Sequence, residues 1–236
     1  MEITFLKASK PLVKEISKEG SKPYPLVKNF TSSEEDISID KTGFNKLFRV
    51  LNDYSTNGAC LHKGNLKQPL NNEPRAFMSD RSARTELLVL DIDGLRATPG
   101  DDIQAMADRI VLQLPAIFHD TSYIAQASAS LGIKKDTVSL HIFFLLDMPV
   151  HPKTLKDYLR MLNYETEFLA EQITLSANGQ SLSCVLDPSV ADNSKLIYIA
   201  PPKFIGVDDP YPKGRFVKVD RGSPVLEISS SLVGVN

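Results

Sequence analysis

The sequence of 236 residues predicts a mixed α/β (α+β) fold, and two kinds of segment lead to that prediction. Apolar residues run together or alternate, as they do in strands, at 87–93 and 136–146. Apolar residues recur with helical spacing at 41–55, 101–114 and 153–176. The chain is 42% hydrophobic and 24% charged, which is ordinary for a globular protein long enough to form one large domain or two small ones.

The first elements are a helix and a series of loops. Residues 1–30 predict a short strand, a loop and an extended entry, which we expect to be flexible or peripheral. Residues 41–55 predict a helix that ends at Asn57 and Gly58. The loop-like segment that follows carries several cations shortly before the strand at 87–93. These cations are Lys63, Lys67, Arg75, Arg81 and Arg84.

The second half alternates strands and helices. A helix at 101–114 has Ile103, Met106, Ile110 and Leu114 on one face. Strands at 121–130 and 136–146 are joined by the short segment "LGIKKD" and should pair as a hairpin. A long helix is expected at 153–176. Further strands are expected at "SCVLDP" and "KLIYIAPP", and then a small strand pair and an irregular tail.

Overall charge and cysteine usage exclude little. The formal net charge is -2 and the isoelectric point about 6.1, which neither indicates a nucleic-acid-binding protein nor excludes one with a local basic patch. Cys60 and Cys184 form no CxxC pair, and we interpret both as small buried residues in a reducing cytoplasm. No signal-peptide pattern and no apolar run of ~20 residues is present, so we expect a cytoplasmic protein without membrane contact.

Two aspartates end the apolar run "LLVLDID". Side chains alternate between the faces of a strand, so Asp91 and Asp93 share one side. Carboxylates beside a core are costly unless something pairs with them, and two hard oxygen ligands at a strand end suit Mg²⁺ or Mn²⁺. The alternative is a pair of turn-forming aspartates before Gly94.

A second strand and a third carboxylate favour the metal interpretation. In "TVSLHIFFLL" the alternation places Ser139 beside His141, and a hydroxyl and an imidazole there can form hydrogen bonds with phosphate oxygens. Ile142 and Phe144 lie on the opposite face, which we expect to be buried. A lone histidine in a strand is more often a core residue. Asp187 ends another apolar run.

These segments together resemble the three motifs of archaeo-eukaryotic primases, in the primase-polymerase branch of phages and plasmids. The family pattern is Asp-x-Asp at a strand end, Ser-x-His in a central strand and a late aspartate after an apolar strand. "VLDID", "SASLGIKKDTVSLHIFFLLDMPV" and "LDPSVADNSKLIYIAPP" match it in order. The resemblance covers roughly 57–205 and implies one catalytic domain over 1–236. In that domain 1–56 would be a peripheral α/β portion and 206–236 C-terminal strands and a tail.

The resemblance implies a two-metal nucleotidyltransferase on single-stranded DNA. Asp91, Asp93 and Asp187 would bind two Mg²⁺ or Mn²⁺ ions, and with His141 they would be the catalytic residues. Ser139 and His141 would contact the phosphates of a nucleoside triphosphate, on an antiparallel-leaning sheet like that of RNA-recognition folds. Further nucleotide contacts would be Lys195, Ser128 and Ser130, and weaker candidates for phosphate or template contact are Lys63 and Arg75.

Several alternatives stay open at the level of sequence. "LVLDIDGL" also resembles the haloacid-dehalogenase phosphatases, in which Asp91 would be the nucleophile, although Leu95 stands where that motif has threonine. A non-catalytic module that binds single-stranded DNA or a replication origin is a third class. The chain has no Gly-Lys-Thr phosphate loop, so a partner helicase would be a separate protein or a missing C-terminal domain. The resemblance places the protein in the cytoplasm of a bacterial host cell.

Overall fold

The structure, a computed structural model, describes residues 1–100, 102–176 and 178–232. Over these residues the protein is of mixed α+β type, with four α-helices and four sheets that are rich in antiparallel pairs. In chain order the strands are β1 Glu2–Lys7, β2 Glu15–Ser17, β3 Gly20–Lys22, β4 Asn29–Asp36, β5 Cys60–His62, β6 Glu73–Pro74, β7 Thr85–Arg96, β8 Tyr123–Ala127, β9 Thr137–Val150, β10 Thr174–Leu175, β11 Leu182–Ser183, β12 Leu196–Tyr198, β13 Lys203–Ile205 and β14 Phe216–Val219, and the helices are α1 Lys41–Thr56, α2 Ile103–Val111, α3 Pro152–Glu165 and α4 Glu167–Ala170.

A four-stranded sheet in the order β14-β8-β9-β7 carries the predicted motifs. All of its strand pairs are antiparallel, and β8 and β9 form the predicted hairpin. Ile142 and Phe144 are buried as expected, but Phe143 and Leu145 on the other face of β9 are buried too. Most of this sheet is therefore covered on both faces, and the polar residues lie at an end that faces a cavity.

Helices α1 and α2 agree with the sequence prediction. Asp40 caps α1 by accepting a hydrogen bond from the Gly43 amide, and the predicted apolar face packs into the core. Asp102 caps α2 in the same way, and Met106 and Ile110 are buried. The helix ends at Val111, earlier than predicted, and the predicted first residue, 101, lies outside the described residues.

The predicted long helix at 153–176 is wrong in its second half. α3 ends at Glu165 because Thr166 adopts an extended backbone with φ -87° and ψ 108°. β-branched residues such as threonine favour an extended backbone, because a helix restricts their side-chain rotamers. The short helix α4 follows, and then β10 pairs with β11 as a small hairpin. The expected strand at "SCVLDP" is likewise reduced to Leu182–Ser183 and an isolated bridge between Leu186 and Ile92.

The amino-terminal residues are not peripheral. Strand β1 is the middle strand of a five-stranded sheet in the order β12-β5-β1-β4-β6, and its residues Ile3 to Leu6 are buried. The expectation failed because three of the other four strands of this sheet, β5, β6 and β12, come from beyond residue 56. One of them, β12, directly follows Lys195, so this sheet is joined to the segment that carries the third motif.

The carboxyl-terminal strands do not pair with each other as predicted. β13 is parallel to β2 in a small three-stranded sheet, whereas β14 pairs with β8 at the edge of the motif-bearing sheet. Residues 206–232 thus complete that sheet rather than forming only a tail. Over the described ranges, no helix is long and apolar enough to cross a bilayer.

Candidate functional site

The first two predicted motifs meet across strands β7 and β9. Asp91 is directly opposite His141 in the antiparallel register, and its Oδ1 lies 3.4 Å from His141 Nε2. The Ser139 hydroxyl donates to Asp93 Oδ1 at 3.2 Å. The alternation that the sequence predicted for both strands is therefore confirmed, since each carboxylate contacts one member of the Ser-x-His pair.

A bulge interrupts the pairing of β7 with β9 just after Ile92, at Asp93 and Gly94. The register of β7 and β9 shifts between Ile92 and Leu95, and Gly94 adopts φ +70°, a conformation that glycine reaches without strain. The Gly94 amide donates to Ser139 Oγ at 3.1 Å, and the Asp93 amide donates to the Val185 carbonyl at 3.1 Å. The bulge frees this end of β7 to take a second backbone partner.

That second partner brings in the third aspartate. The Asp187 amide donates to the Asp91 carbonyl at 3.0 Å, which places the two residues side by side. The Asp187 carboxylate accepts hydrogen bonds from the amide and hydroxyl of Ser189, at 2.8 and 2.6 Å, and pairs with Lys195 Nζ at 3.1 Å. Asp187 is thus adjacent to Asp91 through the backbone, while its side chain is already engaged by Ser189 and Lys195.

The Asp91 carboxylate is mostly buried and has a low pKa. Burial alone would raise its pKa, but the hydrogen bond and charge of His141, together with the charge of Lys195, outweigh burial and lower the pKa below its usual range. Asp91 is therefore ionised over the physiological pH range, as a metal ligand must be.

Two cavities meet at Asp91 and Asp93. The larger, of about 650 Å³, lies between α3, the β10–β11 hairpin and the aspartates, and we call it the aspartate cavity. The smaller, of about 260 Å³, lies on the side of Ser128, Ser130, Ser139 and His141, and we call it the tyrosine cavity because Tyr24 and Tyr198 line it as a stacked pair. The aspartate cavity is within the range of about 300 to 1,000 Å³ that is typical of small-ligand sites, and the tyrosine cavity is slightly below that range.

Ser128 and Ser130 lie on the loop that connects β8 to β9. Both line the tyrosine cavity, and their hydroxyls lie 3.1 Å apart. The Ser128 amide donates to the Ser139 carbonyl, which ties this loop to the Ser-x-His strand.

Of the basic candidates, two lie at the site and one is inaccessible. Lys195 contacts Asp187 and lines the tyrosine cavity. Arg75 donates to the Ser194 carbonyl at 2.7 Å and lines a neighbouring cavity together with Lys195. Lys63 is only 4% exposed, so it cannot contact a phosphate or a template in this conformation, which corrects the expectation for that residue.

Sequence reasoning missed Gln126, a buried side chain on β8. Its Nε2 donates to the Ile199 carbonyl at 2.8 Å, so its Oε1 must be the atom that faces His141 Nδ1, also at 2.8 Å. That oxygen can only accept, so Nδ1 carries a proton and Nε2 is the nitrogen presented to Asp91. The signal in the sequence was a single amide in an otherwise apolar and small-residue strand, "YIAQA".

Sequence reasoning also missed Asn163 on α3. Its amide nitrogen donates to the Leu186 carbonyl at 2.9 Å, and its oxygen accepts from the Leu186 amide at 3.1 Å. Asn163 is fully buried, and it holds both backbone polar groups of the residue that precedes Asp187. In the sequence it was hidden among the apolar residues of a helix.

The donor set suits a divalent cation in part. Over residues 1–100, 102–176 and 178–232, no group of three His, Cys, Asp or Glu side chains is close enough together to hold a metal ion. Asp91 and Asp93 nevertheless each keep one carboxylate oxygen without a hydrogen bond to the described residues, and both residues line the aspartate cavity. Mg²⁺ commonly takes one or two carboxylates plus water and substrate oxygens, so this pair fits. Asp187 fits only when Lys195 releases it.

Comparisons with protein-family models, curated proteins and solved structures found no match. The geometry of the site therefore carries the functional argument by itself.

Proposed function

We propose that the protein is a nucleotidyltransferase of the primase-polymerase type, which adds nucleotides from nucleoside triphosphates to a strand paired with single-stranded DNA. The observation that carries this proposal is the backbone hydrogen bond from Asp187 to Asp91, at the point where Ser139 and His141 contact the aspartate pair. Three segments remote in sequence supply acidic, hydroxyl, imidazole and ammonium groups to one place.

The arrangement of elements supports the finer fold prediction. β7, α2, β8, β9 and α3 follow one another as β-α-β-β-α, and β9 lies between β7 and β8 in one antiparallel sheet, as in a split β-α-β unit. The fourth strand, β14, comes only after α4 and β10 to β13, and it pairs with β8 rather than with β7, where the ferredoxin-like order would have it. We propose on this basis that the motif-bearing sheet is the RNA-recognition-like sheet of the primase family. The sheet edge β14 lies beside β8.

Each site residue has a role in this proposal. Asp91 and Asp93 would hold Mg²⁺ or Mn²⁺, and Asp187 would become available to a second ion if Lys195 paired with the triphosphate instead. A divalent ion bound there would activate the attacking 3′ oxygen and offset negative charge on the leaving pyrophosphate. The Ser139 hydroxyl donates to phosphate oxygens, and so does His141 Nε2 when the ring is the imidazolium, with both nitrogens protonated. Gln126 holds Nδ1–H and so keeps Nε2 turned towards the site.

Incubation of the protein with single-stranded DNA, labelled nucleotides and Mg²⁺ or Mn²⁺, with and without a primer, tests the proposal. We expect template-dependent products, and we expect Asp91→Asn and His141→Gln to lower the rate by at least about 100-fold. Asp53→Asn, an exposed carboxylate on α1, removes the same charge away from the site and should be as active as the wild type.

Three results would contradict the proposal. The first is hydrolysis of p-nitrophenyl phosphate that depends on Asp91, without nucleotide incorporation, which would indicate a phosphatase. The second is DNA binding with neither activity, which would indicate a binding module. The third is a His141→Gln protein that unfolds while its folded fraction keeps full activity, which would make His141 a core residue.

A further inference from the structure

One face of α3 presents two cations and an aromatic ring to the aspartate cavity. Lys156, Arg160 and Tyr164 follow one another at intervals of four residues, so they lie on one side of the helix at steps of about 6 Å. The opposite side of α3 carries Leu155 and Leu159, which are buried in the core. None of the three cavity-facing residues belongs to the motifs that define the proposed active site.

Two of these three side chains are well exposed, and Lys156 is half-buried. Arg160 and Tyr164 have half or more of their surface exposed, at 50% for the Arg160 side chain and 53% for Tyr164. The Arg160 guanidinium contacts Asp157 at 3.1 Å, an exposed pair one turn apart on the same helix. Such pairs contribute at most about 0.5 kcal/mol, so Asp157 does not prevent Arg160 from binding a phosphate.

The opposite wall of the cavity is suited to the same kind of ligand. The β10–β11 hairpin contributes Ser183 and the exposed side chain of Leu182, and the aspartate pair forms the end of the cavity. Cations and hydroxyls contact phosphates, whereas Tyr164 and Leu182 offer surface to bases and sugars. This combination of charge with an exposed aromatic ring is typical of sites for single-stranded nucleic acid.

We infer that the α3 face of the aspartate cavity binds the backbone of the DNA strand whose 3′ end is extended, with Tyr164 stacking on a base. The inference rests on the proposed function for the identity of the strand. The tyrosine cavity, on the other side of the aspartates, is left for the incoming nucleotide. The two cavities share Asp91 and Asp93, so the reacting 3′ oxygen and α-phosphate meet at that boundary.

The charges of the cavity add a testable detail. Its walls carry three carboxylates and two cations. Without a metal ion, the carboxylates at the acidic end therefore repel the phosphates of DNA. DNA binding should be weak in EDTA and tighter with Mn²⁺. Asp93→Asn, which removes one exposed negative charge, should tighten DNA binding in EDTA by about 3-fold.

Fluorescence anisotropy with a short labelled single-stranded DNA tests the inference without any nucleotide. We expect Lys156→Gln/Arg160→Gln to weaken binding by about 10-fold at low salt, and to reduce the slope of log K against log salt by about 1.4. Tyr164→Ala should weaken binding and Tyr164→Phe should not, because stacking needs the ring and not the hydroxyl.

The matched control is Lys153→Gln/Arg49→Gln, which removes the same charge from exposed positions that do not line the cavity. Equal weakening by the control would overturn the inference, as would competition by polyglutamate as strong as that by DNA. If the α3 variants bind DNA normally while the wild type extends primers, the inference fails and the proposed function stands. If DNA binding depends on α3 but no nucleotide is incorporated, the α3 face is a DNA-binding surface and the proposed function fails.

Discussion

His141 Nδ1 and Gln126 Oε1 lie 2.8 Å apart, and the other end of the Gln126 amide is held by the Ile199 carbonyl. The orientation of the imidazole is therefore set by an uncharged side chain on a neighbouring strand and, through it, by the backbone that follows β12.

Replacing Gln126 tests this positioning role. Gln126→Leu removes the acceptor from Nδ1, so we expect kcat/KM for nucleotide incorporation to fall by about 10- to 100-fold in a folded protein. Gln126→Glu keeps an oxygen acceptor and should recover much of the activity while changing the pH–rate profile. Gln104→Leu, on the exposed face of α2, is the control. Equal activity of Gln126→Leu and the control would argue against the role.

Metal binding should depend unequally on the three aspartates. Because Lys195 and Ser189 occupy the Asp187 carboxylate, we expect Asp187→Asn to weaken Mn²⁺ binding by less than about 3-fold in the absence of nucleotide. Asp91→Asn should weaken it by at least about 10-fold. Lys195→Met should tighten it, because that change frees Asp187. Calorimetric titration measures the Mn²⁺ affinity of all three variants. A loss of affinity in Asp187→Asn as large as that in Asp91→Asn would contradict the prediction.

Asn163 should be more important for stability than an ordinary helix asparagine. Asn163→Leu leaves the buried amide and carbonyl of Leu186 without their partner, so we expect the free energy of unfolding to fall by about 2 to 4 kcal/mol. Asn52→Leu is the matched control, because Asn52 makes only the bond to the carbonyl four residues earlier. Chemical denaturation compares the two variants, and equal losses would show that the Leu186 contacts add nothing.

Lys63 should make stability depend on pH. Burial lowers the pKa of Lys63 from 10.5 to about 7, and its Nζ has no hydrogen-bond partner among the described residues. The Lys63 amine binds a proton more tightly in the unfolded chain than in the folded protein, so the free energy of unfolding rises between about pH 7 and 10.5. Below pH 7 the amine is charged in both states, and the full cost of burying that charge lowers stability.

Lys63→Met removes this penalty. We expect the free energy of unfolding to exceed that of the wild type by ~3 to 5 kcal/mol at pH 6, and this difference should shrink towards zero near pH 10. The exposed neighbour Lys67→Met should change little at either pH. Urea unfolding at the two pH values checks the prediction, and a gain that is the same at both would show that lysine ionisation is not its cause.

Local patterns in the sequence predicted the strands that carry the site but not their surroundings. Period-two alternation placed Asp91 with Asp93 and Ser139 with His141 correctly, because one end of each strand faces a cavity. The same alternation could not show that Phe143 is as buried as Phe144, since that depends on what covers the second face.

The residues that the sequence could not identify depend on contacts between remote segments. Gln126 and Asn163 act through carbonyls of Ile199 and Leu186, far along the chain. Lys63 looked like a solvated loop cation, and only the packing around β5 shows that it is buried. The end of α3 at Thr166 was missed because apolar residues continue at helical spacing beyond it.

The position of β12 limits how the chain can be shortened. β12 pairs with β5, which pairs with β1, while the residues on either side of it hold Asp187 and Gln126. An expression fragment cut to the motif-bearing stretch 57–205 would lose β1 and β14, and it would expose strand edges on both sheets. Such a fragment should aggregate rather than work as a minimal enzyme, so biochemical work on this protein needs both ends of the sequence.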